Sequence, residues 1–323
     1  MREDKNIAAR IFWVDWMKVI GMYFIIAGHL FPYGYTYIYT FNVPLFFLLS
    51  GFLCKKEPNH IVFWRKILFN YMIPLILIRT IMYFWEKYTY TTPSQFLSIF
   101  NYWLFMLKGY QNCNGACWFI YTLILIRIIF QYISSDKFQI GLFILFTISA
   151  IWVNIHDIHK GNAVLNVIVA YQPFAIGHIL RRYRQQLNIL NPSKPLLCMV
   201  LILSIGIVII CGRLNGDVWT FDNGYGRSFL LYIGGTLGGT MGVYALSKLF
   251  DNKLSPLVKT LAIGNIVTLG FHQIFINLIR MHLPAMSYLS YLLAFAILLA
   301  FYPIIRCCQS WCPILLGNYR PTK

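Results

Sequence analysis

An all-α, polytopic integral membrane protein with about ten transmembrane helices is the fold class this sequence predicts, on three observations. Of 323 residues, 59% are hydrophobic and only 11% charged, with a mean hydropathy of +0.62. That leaves too little polar surface to cover a water-soluble globule. The apolar residues gather in runs of about 20, enough to cross a hydrocarbon core of roughly 30 Å as a helix, the form that satisfies every backbone amide inside the span. The Lys and Arg residues gather on one side of those runs.

In chain order, the expected spans are Phe12 to Phe31, Tyr39 to Cys54, Ile67 to Trp85, Gly115 to Ile133, Phe138 to Asn154, Ala163 to Leu180, Leu196 to Gly212, Ser228 to Phe250, Leu261 to Ile279 and Ser287 to Ile305. The first reads as a span rather than a cleavable signal, because its apolar run is too long and no small-residue cleavage site follows it, the next residues being Pro32-Tyr-Gly-Tyr. With the N-terminus in the cytoplasm, eighteen of the 27 Lys and Arg fall on that side, among them Lys55, Lys56, Arg65, Lys66, Arg181, Arg182 and Arg184; Lys87, Lys108, Lys160, Arg213, Arg227 and Arg280 fall opposite. The bias predicts a multi-pass protein of the cell (inner or plasma) membrane with an even number of spans and cytoplasmic tails, residues 1–11 and 306–323. The net charge of +17 therefore reflects topology, and no nucleic-acid partner is expected, since no basic stripe with interleaved aromatics is present.

No linker divides the chain, so one membrane domain over 1–323 is expected, with Phe96 to Leu107 lying along the interface. Gly234, Gly238 and Gly242 place small residues every fourth position in the eighth span, which lets two helix backbones approach closely. The eight cysteines do not form a disulfide framework, since Cys54, Cys198 and Cys211 lie at or inside spans. His156 and His159 have half the spacing of a metal site but no further ligands, and no metal is expected.

Ionisable side chains inside a bilayer are costly unless they face protein or water, so each is a candidate for function. The first span offers Asp15, Lys18 and His29, the third Arg79, the fourth Arg127, the sixth His178 and the ninth His272. At 100° per residue Lys18 and His29 differ by only about 20° and share one face, with a rise of about 16 Å between them. That rise is comparable to the pantetheine arm of coenzyme A. A donor with its phosphates at the basic cytoplasmic surface can therefore present a thioester beside His29, whose unperturbed pKa of about 6.5 suits it to accept and return a hydroxyl proton. Arg79 and Arg127 call for an anionic ligand or backbone carbonyls as partners, or for snorkelling of Arg127 to the membrane edge.

Three runs carry a resemblance: Trp13-Val-Asp15-Trp-Met-Lys18, then Gly28-His29, then Phe41-Asn42-Val-Pro44-Leu-Phe46-Phe47 with Ser50-Gly51-Phe. They resemble the N-terminal signature of the acyltransferase 3 family, in its fucose 4-O-acetylase-like branch. The likeness continues through Tyr71-Met-Ile-Pro74, Cys117-Trp118-Phe119-Ile120, Phe174-Ala-Ile-Gly177-His-Ile-Leu-Arg181-Arg182, and Ile263-Gly264-Asn265 followed by His272. It implies a ten-span enzyme moving an acyl group, usually acetyl, from a cytoplasmic coenzyme A thioester to a hydroxyl of a sugar or surface glycan. On it, Lys18 and His29 fall on the family's basic residue and catalytic histidine. Asn42 stands where that branch commonly has histidine, and the arginines that some members carry before the third span's proline are absent.

The expectation is an O-acyltransferase of the lipid bilayer with acetyl-CoA as acyl donor and a sugar or polysaccharide as acceptor. Its catalytic candidates are His29, Asp15 and Lys18; its acceptor-binding candidates are Asn42, Trp118, Asn265, His272 and Arg79. Lys18, Arg65, Lys66, Arg181 and Arg182 are the candidates for holding the donor's phosphates. The competing class is a glycan or small-molecule transporter, because embedded histidines and a Pro-broken helix also serve transport. A third reading is a non-catalytic partner in glycan synthesis, consistent with Asn42.

Overall fold

The computed structural model describes residues 11–89, 99, 103, 115–133, 135–158, 161–187, 192–251, 255–280 and 287–317. Among them the regular structure is helical, with no strand. Of the expected interfacial segment, Phe96 to Leu107, only Ile99 and Trp103 lie within the described residues, and the Trp103 indole donates to the Thr80 hydroxyl at 3.1 Å.

The helices are α1 (Phe12–His29), α2 (Tyr35–Tyr39), α3 (Asn42–Leu53), α4 (His60–Ile67), α5 (Ile73–Thr89), α6 (Trp118–Tyr132), α7 (Asp136–Ile155), α8 (Ala163–Arg182), α9 (Lys194–Asn215), α10 (Phe229–Leu249), α11 (Pro256–Ile263), α12 (Asn265–Arg280) and α13 (Leu289–Trp311). Among the described residues, seven stretches are long and apolar enough to cross a membrane, or eight if the bent pair α11 and α12 forms one span. This corrects the expected ten. The two that fall short are α1, whose hydropathy Asp15, Lys18 and His29 lower, and α6, which has 15 residues. Both sit inside the bundle, where protein rather than lipid meets their polar groups. By contrast α7 and α9 turn Ile140, Ile144, Ile148, Ile202, Ile205 and Ile210 outward, a lipid-facing surface no water-soluble chain sustains.

Three boundaries differ from expectation for local reasons. Pro44 does not break the second span: it lies in the first turn of α3, where its missing N–H has no helical partner, and the chain turns before Asn42. The third span begins at His60 and runs to Thr89, interrupted by a π-helical turn at Leu68–Met72 just ahead of Pro74. The ninth span is bent by 83° at Gly264, where an added Cβ would lie 2.2 Å from Ile305 Cγ1. The expected tail from residue 306 is helical to Trp311, and the following turn, Pro313–Leu316, packs its buried leucines against α5 and the π-turn.

Close approaches at glycine set the frame around α1. A Cβ on Gly51 of α3 would sit 1.9 Å from the Phe174 carbonyl oxygen of α8, and one on Gly177 of α8 would sit 1.9 Å from the Leu48 carbonyl oxygen. The α3–α8 crossing thus has no room for a side chain on either helix. The α10 glycines pack as the spacing predicts: Gly238 faces Ile207, Gly242 faces Ser204 and Gly239 faces Phe41.

Candidate active site

Residues Lys18, Met22, Ile25 and His29 of α1 line one cavity of about 240 Å³. Their spacing of four, three and four residues is the stripe of a single helix face. Val43, Phe46, Ser50 and Leu53 of α3, Trp118, Phe119, Leu123 and Arg127 of α6, Asn265, Ile266 and Leu269 of α12, and Tyr71 of the π-turn complete the wall. Helix directions give the cavity two ends. Trp13 meets Phe52 at 5.6 Å between ring centroids, so α3 runs antiparallel to α1 and brings Ser50 and Leu53 to the Lys18 end. Phe119 meets Phe47 at 4.6 Å while Lys56 lies 5.4 Å from the Phe130 ring, so α6 runs parallel to α3 and Arg127 joins that end.

At the other end His29 and His272 face each other, ring centroids 5.2 Å apart and planes tilted by 38°. His272 is fully buried on α12, and its Nδ1 lies 3.0 Å from the Thr268 carbonyl oxygen and 2.9 Å from that of Leu269. Carbonyl oxygens only accept, so Nδ1 is the donor and the neutral ring presents a lone pair at Nε2. Among the described residues Nε2 has no hydrogen-bond partner. Backbone contacts therefore fix the tautomer of a second imidazole beside the first. Arg280 closes this end, donating from Nη2 to the His29 carbonyl oxygen while its guanidinium lies 4.8 Å from the Phe31 ring. The His29 carbonyl, orphaned at the α1 terminus, gains a charged donor.

At the Lys18 end Arg127 Nη1 donates to the Tyr71 hydroxyl at 3.0 Å, with the guanidinium 5.4 Å from the Tyr71 ring centre. Over this whole architecture a family model described as an acyltransferase domain, acyltransferase 3, matches residues 11–307. The chain belongs to the acyltransferase 3 family. No curated protein and no solved structure matches it.

Of the residues that suggested an acyltransferase 3 signature, Lys18, His29, Ser50, Trp118 and Asn265 share the cavity wall, and His272 reaches it through His29. Asn42 is buried one layer behind: its Oδ1 accepts from the amide of the next residue, Val43, at 2.8 Å. It abuts α1 at Gly28, where an added Cβ would lie 3.0 Å from Asn42 Nδ2. Asp15 is buried on α1 one turn before Lys18, off the cavity wall. Arg79 is fully buried beside Cys117, on the α5 face that also carries buried Glu86, and is likewise off the wall.

The structure does not bring the expected phosphate-holding cations together. Lys66 pairs with Glu57 at 2.6 Å, Arg181 Nη1 donates to the Phe52 carbonyl oxygen at 3.0 Å, Arg182 pairs with Asp136 at 2.7 Å on the surface, and Arg65 is exposed. Only Lys18 of that set lines the cavity. Arg280 was not singled out as a site residue in the sequence, and Tyr71 entered only as part of a motif; Arg127, for which an anionic ligand, backbone carbonyls or snorkelling were the alternatives, lines the cavity beside Tyr71. Pro74 three residues after Tyr71 was the available signal, since a proline there disturbs the helix just before it. Arg280 had none, its contact with His29 being set by tertiary structure alone. His156 and His178 lie away from the site, the latter with its ring 4.6 Å from that of Phe130. No group of three metal-binding side chains occurs among the described residues.

Proposed function

We propose that this acyltransferase moves an acyl group, acetyl in the first instance, from a coenzyme A thioester to a hydroxyl of a sugar or surface glycan, as the likeness to fucose 4-O-acetylases implies. The observation that carries the reading is the continuous α1 stripe from Lys18 to His29 along one cavity. Its length, about 16 Å from the helical rise, suits a pantetheine arm entering from the cytoplasmic side and ending at His29. His29 accepts the proton of the acceptor hydroxyl as its oxygen attacks the thioester carbonyl carbon. The C–S bond breaks, the new ester C–O bond remains, and the imidazolium returns its proton to the departing thiolate. His272, with its tautomer fixed by the α12 backbone, holds a lone pair toward the reacting groups and orients them. Asn265, Trp118 and Asn42 shape the acceptor side.

The protein in this reading sits in a cell membrane with both termini cytoplasmic. A transport reading draws support from the bent α11–α12 pair, since broken helices line transporter sites. Ester content of the cell-surface glycan in cells carrying wild type or His29→Gln separates the two. Transferase activity requires ester that disappears in the variant, and transport does not.

A further inference from the structure

We propose that Arg127 anchors a phosphate of the acyl donor, in an anion subsite at the Lys18 end of the cavity; this rests on the coenzyme A reading above. Arg127 lines the same cavity as Lys18, with Ser50, Leu53 and Tyr71 beside it. Its partner is a neutral phenol: Tyr71 accepts from Nη1 at 3.0 Å and places its ring 5.4 Å from the guanidinium centre, orienting the charge without cancelling it. The Nε atom is buried and has no hydrogen-bond partner among the described residues. The neighbouring carboxylate, Glu57, is engaged by Lys66 at 2.6 Å.

A guanidinium at membrane depth is costly unless an anion or water meets it, and its planar fork matches a phosphate better than an ammonium does. Geometry agrees on the ligand's reach. Lys18 to His29 along α1 rises about 16 Å, and Arg127 to Trp118 along α6 rises about 14 Å. A ligand held by its phosphate at Arg127 spans the same distance to the His29 end by either wall. The π-turn at Leu68–Met72 carries the Tyr71 whose hydroxyl meets Arg127.

The test uses purified full-length protein in nanodiscs of phosphatidylcholine, titrated with coenzyme A and then with inorganic pyrophosphate as competitor. Arg127→Gln is expected to raise the coenzyme A Kd about 10- to 100-fold, the loss that follows removal of a charge-assisted hydrogen bond. Arg127→Lys should recover part of it and Tyr71→Phe should lose part of it. Arg306→Gln, which removes an exposed cation on the last helix, controls for overall charge and should bind like wild type. Pyrophosphate should compete in wild type and fail to compete in Arg127→Gln. A wild-type Kd in Arg127→Gln overturns the anchor while leaving acyl transfer by His29 standing. Retained coenzyme A binding with loss of co-purifying phosphatidylglycerol would make the phosphate a lipid's and also overturn it. If wild type binds no coenzyme A, the reading beneath the proposal falls with it.

Discussion

The imidazoles of His29 and His272 face each other at 5.2 Å although one ends α1 and the other lies inside α12. Two backbone carbonyls hold His272 as an Nδ1 donor, which leaves Nε2 as the lone-pair atom, without a hydrogen-bond partner among the described residues. Replacing it tests whether that lone pair orients the site. His272→Leu should lower kcat for acyl transfer by about tenfold or more with little change in donor KM. His272→Gln, which keeps an acceptor atom, should retain more activity than Leu. Equal losses in the two variants, or a loss confined to protein abundance, would reduce His272 to a packing residue.

The α3–α8 crossing predicts a stability effect independent of chemistry. Gly51→Ala or Gly177→Ala forces a methyl to within 1.9 Å of a facing carbonyl oxygen, and overpacking of this kind costs about 1–3 kcal/mol or more. Both variants should show a lower melting temperature in detergent and lower abundance in membranes. The double variant should fall short of the sum of the two, because both relieve the clash by separating the same pair of helices.

Arg280 links the two ends of distant helices by its hydrogen bond to the His29 carbonyl. It is exposed, so its contribution to stability is small, within about 1 kcal/mol. Its contribution to the placement of His29 is larger in this account. Arg280→Gln should leave abundance near wild type and slow transfer severalfold, by roughly 3- to 10-fold for a displacement of the base. Unchanged transfer would show that α1 holds its end without Arg280.

The charge bias predicts an orientation that reporters can test. Reporters after Lys323 and near Arg182 should both give a cytoplasmic signal, and one near Asn162 an external signal. A cytoplasmic signal at Asn162 would reverse the path assigned to the donor.

The α1 stripe was legible in the sequence because its periodicity is local: 100° per residue puts Lys18 and His29 on one face whatever surrounds them. The α10 glycines were legible for the same reason. The surroundings of the candidate donor cations were not legible, since Lys66, Arg181 and Arg182 sit at helix ends and only the fold gives them Glu57, the Phe52 carbonyl and Asp136. Arg127 read as an edge residue because its partner, Tyr71, comes from another helix by way of a π-turn. The bend at Gly264 was hidden as well, for a glycine in an apolar run marks a close approach as readily as a break, and the Ile305 side chain that occupies the space belongs to α13.

The central claim is that His29 transfers a proton in an acyl-transfer reaction. The direct measurement is ester content of the acceptor glycan, normalised to protein level, in cells expressing wild type or His29→Gln. Glutamine keeps hydrogen-bonding capacity near the original size but cannot exchange a proton, so ester content should fall by a factor of about 10² to 10⁴ at unchanged abundance. Wild-type ester content in His29→Gln would contradict the account and leave transport as the better reading of the cavity.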